Sequence, residues 1–185
     1  MSTTQIVQLS KFLSLILRHK PETIGIKLDE HGWADVNKLI EGVKRSGKQF
    51  NFALLDRVVA ENDKQRFSFN EDKTKIRANQ GHTRKVDVEL EEKVPPKTLY
   101  HGTLKSNFAS INSKGLLKMK RLYVHLSGDI ETAQKVADRR HGESIIYKID
   151  AAAMSRDGYK FFQSVNGVWL TAHVPAKYLS LSQVE

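Results

Sequence analysis

The chain has 185 residues and no cysteine, which leaves room for one domain or two small ones with a core that needs no staple. A disulfide scaffold, a thiol nucleophile and a cysteine-ligated zinc or iron–sulfur centre are thereby excluded. Lys and Arg number 30 against 21 Asp and Glu, a formal net charge of +9; that balance points to a polyanion, nucleic acid first, although a plainly basic soluble protein would share it.

The N-terminal segment reads as a helix. Ile6, Leu9, Phe12, Leu13, Ile16 and Leu17 recur at three- and four-residue spacing, one apolar face. It ends near Arg18-His19-Lys20-Pro21, where basic residues suit a helix C-terminus and the proline disfavours helix before it. Asp35 is a good N-cap for a second helix through Val36, Leu39, Ile40 and Val43, closed by Gly47. Asn51 caps a third through Phe52, Leu55, Val58 and Val59. The period then changes: Arg66–Phe69 and Lys75–Ala78 alternate around a polar turn, a β-hairpin signal. Three helices and a hairpin are the layout of a winged helix.

Glu91-Glu92-Lys93-Val94-Pro95-Pro96 can neither continue a helix nor sit in a central strand, so the boundary falls at about residues 80–96. Beyond it, strands are expected at Thr98–His101, Tyr123–Leu126, Ser144–Ile149, Lys160–Gln163 and Val168–Thr171. Helices are expected at Ser106–Lys114 and Asp129–Arg139. No long βαβαβ series is visible, so a doubly wound sheet is not expected.

No apolar run approaches the ~18 residues that span a bilayer, and the first residues do not form a secretion signal. A membrane association is not expected, and the cysteine-free composition fits a reducing, cytoplasmic setting. The charge is no tail. Residues 1–94 hold 17 basic and 14 acidic residues, and 95–185 hold 13 and 7, so the fold must sort the signs.

The glycine-rich dinucleotide and phosphate loops, the zinc-protease helix and the nucleophile elbow are all absent. What remains is Arg and His beside turns: Arg18-His19, Arg66, His101, Arg121, His125, Arg140-His141. A forked permanent charge matches phosphate oxygens, and histidine exchanges protons near neutrality. Such a set, without a carboxylate pair or metal cluster, fits chemistry on phosphate anions. Each piece has a structural reading too. Arg18-His19 could serve the helix dipole, Arg66 could be a strand charge, His101 and His125 core residues, Gly102 a turn residue. Trp33 and Trp169 read as core aromatics; His31, His82 and His173 read as surface or turn residues.

In combination the sequence closely resembles the RNA 2′-phosphotransferases, the NAD-dependent enzymes named for removing the 2′-phosphate of tRNA splice junctions. The resemblance is carried by Leu9–Ser14, Leu17-Arg18-His19-Lys20-Pro21, Leu28-Asp29, Gly32-Trp33-Ala34, Arg66-Phe67-Ser68, Ile76-Arg77-Ala78 and Gln80-Gly81-His82. It resumes at Leu99–Thr103, Tyr123–Ser127, Arg140-His141-Gly142 and Asn166–Thr171.

That resemblance implies an α+β protein with two lobes. Residues 1–90 would form a winged-helix-like RNA-binding lobe. Residues 91–185 would form an ADP-ribosyltransferase-like lobe, a split β core holding NAD without a Rossmann fingerprint. It implies a two-step reaction: the RNA 2′-phosphate displaces nicotinamide from NAD⁺, giving an ADP-ribosylated phosphodiester. The neighbouring ribose hydroxyl then attacks phosphorus, leaving 2′-OH RNA and ADP-ribose 1″,2″-cyclic phosphate.

The family's Arg-His-Arg-Arg set falls on Arg18, His19, Arg66 and Arg121, the arginines as phosphate clamps and His19 bonding the reacting phosphate or assisting the transesterification by proton transfer. NAD contacts fall on His101, Gly102, Thr103, His125, Ser127, Arg140, His141, Asn166, Gly167, Val168 and Trp169. The resemblance further implies a monomer acting on tRNA-like RNA bearing an internal 2′-phosphate, with NAD consumed as co-substrate and no metal. Asn166–Trp169 lacks the acid many ADP-ribosyltransferases carry there, so Glu-assisted transfer onto proteins is not expected. Two rivals stay open: an ADP-ribosyltransferase acting on terminal phosphates of nucleic acid, and a non-catalytic winged-helix nucleic-acid-binding protein.

Overall fold

The structure is a computed structural model that describes residues 3–182. The protein is a mixed α+β chain that divides into two compact units between Glu89 and Leu90.

The first unit holds α1 (Thr3–Arg18), β1 (Ala34–Asp35), α2 (Val36–Arg45), α3 (Phe52–Ala60), β2 (Phe67–Phe69) and β3 (Lys75–Ala78). Both expected caps form. Asp35 accepts from the Lys38 N–H at 2.9 Å, and Asn51 accepts from that of Leu54 at 2.9 Å; each satisfies a helix donor that has no intrahelical partner. Pro21 ends α1 and opens a short 3₁₀ turn, Pro21–Ile24. The strands order β1-β3-β2, all antiparallel, with Ala34 and Phe69 flanking Ile76. The helix faces read from the sequence meet this sheet: Leu13, Ile16, Leu17, Leu39, Val43, Leu55, Val58 and Ile76 share one buried cluster. Burying side chains of this kind stabilises by about 1.5–3 kcal/mol each before entropy is subtracted.

The second unit holds β4 (Thr98–Leu104), α4 (Phe108–Lys114), β5 (Leu116–Leu117), β6 (Val124–Leu126), α5 (Ile130–Ala137), β7 (Ser144–Asp150), α6 (Ala151–Arg156), β8 (Phe161–Gln163), β9 (Trp169–Thr171), β10 (His173–Val174) and β11 (Leu179–Leu181). Two three-stranded sheets, β11-β7-β4 and β6-β9-β8, carry most of it, and β10 pairs with β5. The sheets are tied where Tyr100 and Ser127 exchange backbone bonds of 2.9 and 2.8 Å. Leu99, Leu126, Tyr147, Ile149, Met154, Phe161 and Trp169 fill the core.

Three expectations are corrected here. The first strand of this unit continues past His101 to Leu104, because its ladder with β7 runs unbroken from Thr98↔Asp150 to Leu104↔Ser144. Gly102 is therefore not a turn residue. A Cβ on it would lie 1.9 Å from the Ala133 carbonyl oxygen, so the missing side chain is what lets α5 lie against β4. The helix expected from Ser106 begins as a 3₁₀ turn, Lys105–Asn107, and becomes α-helical at Phe108.

Candidate functional site

In the first unit the sequence brings Arg18 to the last position of α1 and Arg66 to the residue before β2. Both line a groove of about 450 Å³ whose walls include Ser10, Lys11, Ser14 and Lys64. The chain after β3 wraps this helix end. The Thr83 N–H donates to the Arg18 carbonyl at 3.2 Å, and the Thr83 hydroxyl meets Nδ1 of His19 at 3.1 Å. Gly81 has φ +89°, and a Cβ there would sit 3.6 Å from the Arg18 side chain. A glycine accepts that backbone at no steric cost.

Arg66 is held from two sides. The Asn79 N–H donates to its carbonyl at 2.9 Å, and the Asn79 amide donates to the Gln65 carbonyl at 2.6 Å. From the other side, Asn62 Oδ1 accepts from Arg66 Nη1 at 3.1 Å. Asn62 and Asn79 are both buried, and neither was legible as a site residue.

His82 corrects its reading as a surface or turn residue: it is 1% exposed. Burial first, then the charges of Arg18, His19 and Arg77, lower its pKa to about 4. It is thus a neutral imidazole at physiological pH, packed beside cations that a second charge would oppose. Trp33 is only partly buried and lies under the Arg77 guanidinium at 4.4 Å, a cation–π contact rather than plain core packing.

The second unit gathers a separate set. His101 Nδ1 meets the His125 carbonyl at 3.0 Å, and His125 Nδ1 meets the Tyr123 carbonyl at 3.0 Å. A carbonyl only accepts, so Nδ1 of each ring carries the proton and the Nε2 of each is the basic nitrogen. The His101 pKa is lowered, by burial and then by Arg140 and Arg121, against the opposing effect of its bond to His125. Ser127 reaches the same place through its backbone pairing with Tyr100. Arg121 lies on the surface, yet desolvation and the nearby Arg140 and Arg139 lower its pKa too. It stays charged, and the charges acting on it are cationic. Such crowding favours a bound anion.

Other expected residues fall elsewhere. Gly102 faces α5, and Thr103 is buried with its hydroxyl accepting from Asn107 at 3.0 Å; both build the scaffold. Asn166, Gly167 and Val168 form the β8–β9 turn, organised by Ser164, whose hydroxyl donates to Asn166 Oδ1 at 2.7 Å. Trp169 is buried in β9, opposite Leu126, with its indole N–H edge toward Gly128. His141 is exposed just beyond α5. Among the described residues, no group of three or more His, Cys, Asp or Glu could hold a metal ion, and no helix is long and apolar enough to cross a membrane.

Comparison with known proteins gives a consistent result. Residues 4–173 match the family described as RNA 2′-phosphotransferase, Tpt1 / KptA family. A probable RNA 2′-phosphotransferase of Fusobacterium nucleatum is 56% identical over 173 residues, covering 94% of this chain and 97% of its own. One from Flavobacterium johnsoniae is 56% identical over 171 residues, 92% of this chain and 93% of its own. One from Escherichia coli is 49% identical over 176 residues, 95% of each.

Proposed function

The chain belongs to the RNA 2′-phosphotransferase, Tpt1 / KptA, family, and we propose that it removes an internal 2′-phosphate from tRNA-like RNA by transfer to NAD⁺. The products are 2′-OH RNA, nicotinamide and ADP-ribose 1″,2″-cyclic phosphate. The observation that carries this reading is the convergence of Arg18 and Arg66 on one groove.

Arg18 and Arg66 hold the 2′-phosphate and offset the repulsion between two anionic reactants. NAD⁺, as co-substrate, supplies a riboside carbon whose bond to nicotinamide breaks as a phosphate oxygen bonds to it. Arg121 steadies charge on the phosphate oxygens when the ribose hydroxyl attacks phosphorus and the P–O2′ bond breaks. His19, oriented by Thr83, gives a proton to the departing 2′-oxygen.

The second unit's residues suit the dinucleotide. Arg139 and Arg140, whose charges act on Arg121, fit a pyrophosphate. His101, with Nδ1 committed to a carbonyl, offers Nε2 to a ribose hydroxyl. A winged-helix reading of the first unit is supported by its three helices ahead of the β2–β3 hairpin. An ADP-ribosyltransferase-like reading of the second is supported by its two three-stranded sheets.

The test is incubation with NAD⁺ and a short RNA bearing one internal 2′-phosphate, beside the same RNA with only a 5′-phosphate. The expected result is loss of the 2′-phosphate with release of one nicotinamide per phosphate. Binding of RNA with NAD⁺ untouched would overturn the transfer reading, and modification of the 5′-phosphate alone would redirect it to terminal ends.

A further inference from the structure

Asn62 follows α3, outside every motif that drew attention in the sequence. Its side chain is 7% exposed and fully engaged. Oδ1 accepts from the backbone N–H of Lys64 at 3.2 Å, from that of Arg66 at 3.3 Å, and from Arg66 Nη1 at 3.1 Å. Nδ2 donates to Ser10 Oγ at 2.8 Å. Ser10 is equally buried, on α1, the helix that ends in Arg18. The loop is tight: the Gln65 N–H donates to the Asn62 carbonyl at 2.8 Å, and Gln65 has φ 40°. One amide therefore fixes the backbone of Arg66, touches its guanidinium, and fastens both to the helix that carries the other arginine of the groove.

We propose that Asn62, anchored by Ser10, is a positioning residue for the Arg66 phosphate clamp. The inference rests on the reading of Arg66 as a clamp. The physical argument is preorganisation. An arginine side chain has several rotatable bonds, and ordering it only when the phosphate arrives would cost binding free energy. A neutral amide can hold it in advance without cancelling its charge, which a carboxylate at the same place would do. Two buried side chains bonded to each other also leave no orphaned polar group to penalise the arrangement.

The experiment is a double-mutant cycle with two readouts. One is the single-turnover rate of 2′-phosphate removal with NAD⁺. The other, without NAD⁺, is the ratio of affinities for an RNA carrying the 2′-phosphate and the same RNA with a 2′-hydroxyl. Asn62→Ala is expected to lower both by about 10- to 100-fold in the wild-type background. In an Arg66→Ala background it should change either by no more than about 2-fold, since its effect passes through the missing guanidinium. Ser10→Ala, which keeps the Asn62–Arg66 bond but loosens its anchor, should give a smaller loss with the same dependence on Arg66. It serves as the test if Asn62→Ala does not fold.

Equal losses in both backgrounds would overturn the proposal, as would a folded Asn62→Ala with unchanged rate and affinity ratio. Wild type that prefers the 2′-phosphate but leaves NAD⁺ intact would sink the transfer reaction instead, and the affinity ratios alone would then decide whether the relay stands.

Discussion

Arg66 and Arg121 sit in different electrostatic surroundings. In the first unit Arg66 is tethered by neutral groups, Asn62 at its guanidinium and Asn79 at its carbonyl. In the second unit the charges acting on Arg121 are those of Arg140 and Arg139, which push rather than tether. The first arrangement pays its ordering entropy during folding. The second stores repulsion that an anion relieves on binding. Structural cations of the same molecule do neither: Arg57, Arg77 and Arg84 pair with Glu61, Glu89 and Glu22. An amide holds an arginine without neutralising it, whereas a carboxylate partner offsets its charge.

The largest effect separating the two arrangements should come from substituting the arginines. Arg66→Ala is expected to slow phosphate removal by about 10²–10³-fold, and Arg66→Lys by nearly as much, since a point charge cannot keep the forked geometry. Arg121→Lys should retain more activity than Arg121→Ala, because there the charge itself matters. Single-turnover rates of the four variants check this, and equal Lys and Ala losses at Arg121 would erase the distinction.

A smaller but large effect is expected at Gly102. Gly102→Ala drives a methyl into the Ala133 carbonyl and should cost about 3 kcal/mol of stability by denaturant titration. Gly102 belongs to the second unit, so the first unit's own unfolding transition, where resolvable, should move little.

Next comes pH. The folded pKa of His82 lies at about 4, below its usual 6.5. The unfolded chain therefore binds the extra proton first, and stability falls as pH drops below 6.5 toward 4. Between pH 7 and pH 5 the loss attributable to His82 is about 2 kcal/mol. His82→Gln should flatten that slope in urea titrations at the two pH values, and an unchanged slope would remove His82 as its cause.

The smallest effect concerns the stored repulsion. NAD⁺ at ten times its dissociation constant should stabilise the protein by about 1.4 kcal/mol, seen as a rise in melting temperature. Arg140→Ala should shrink the rise at the same concentration.

The site was legible in the sequence to unequal depth. Arg18, His19 and Arg66 stood out because arginine and histidine beside turn and cap signals are local features. Asp35 and Asn51 were readable as caps for the same reason. Asn62, Asn79 and His82 were not, because a polar residue in a loop looks the same whether it is solvated or buried. Their burial comes from partners distant in the chain, Ser10 for Asn62, Gln65 and Arg66 for Asn79, and the Gly32 turn for His82, which no local pattern encodes. In the second unit, β5 and β10 escaped notice because two-residue strands are too short to show alternation. Gly102 was misplaced because a glycine marks a turn and a close packing contact with the same letter.

The Ser10–Asn62 bond gives α1 a role beyond burial. Ser10 and Arg18 are eight residues apart on one continuous helix, a span of about 12 Å at 1.5 Å per residue. Its middle locates the loop that carries Arg66 and its last residue is Arg18. The helix is therefore a ruler between the two arginines that line one groove. Inserting one residue between the two marks would turn one against the other by about 100°, with every side chain of the clamp still present and none of them in register.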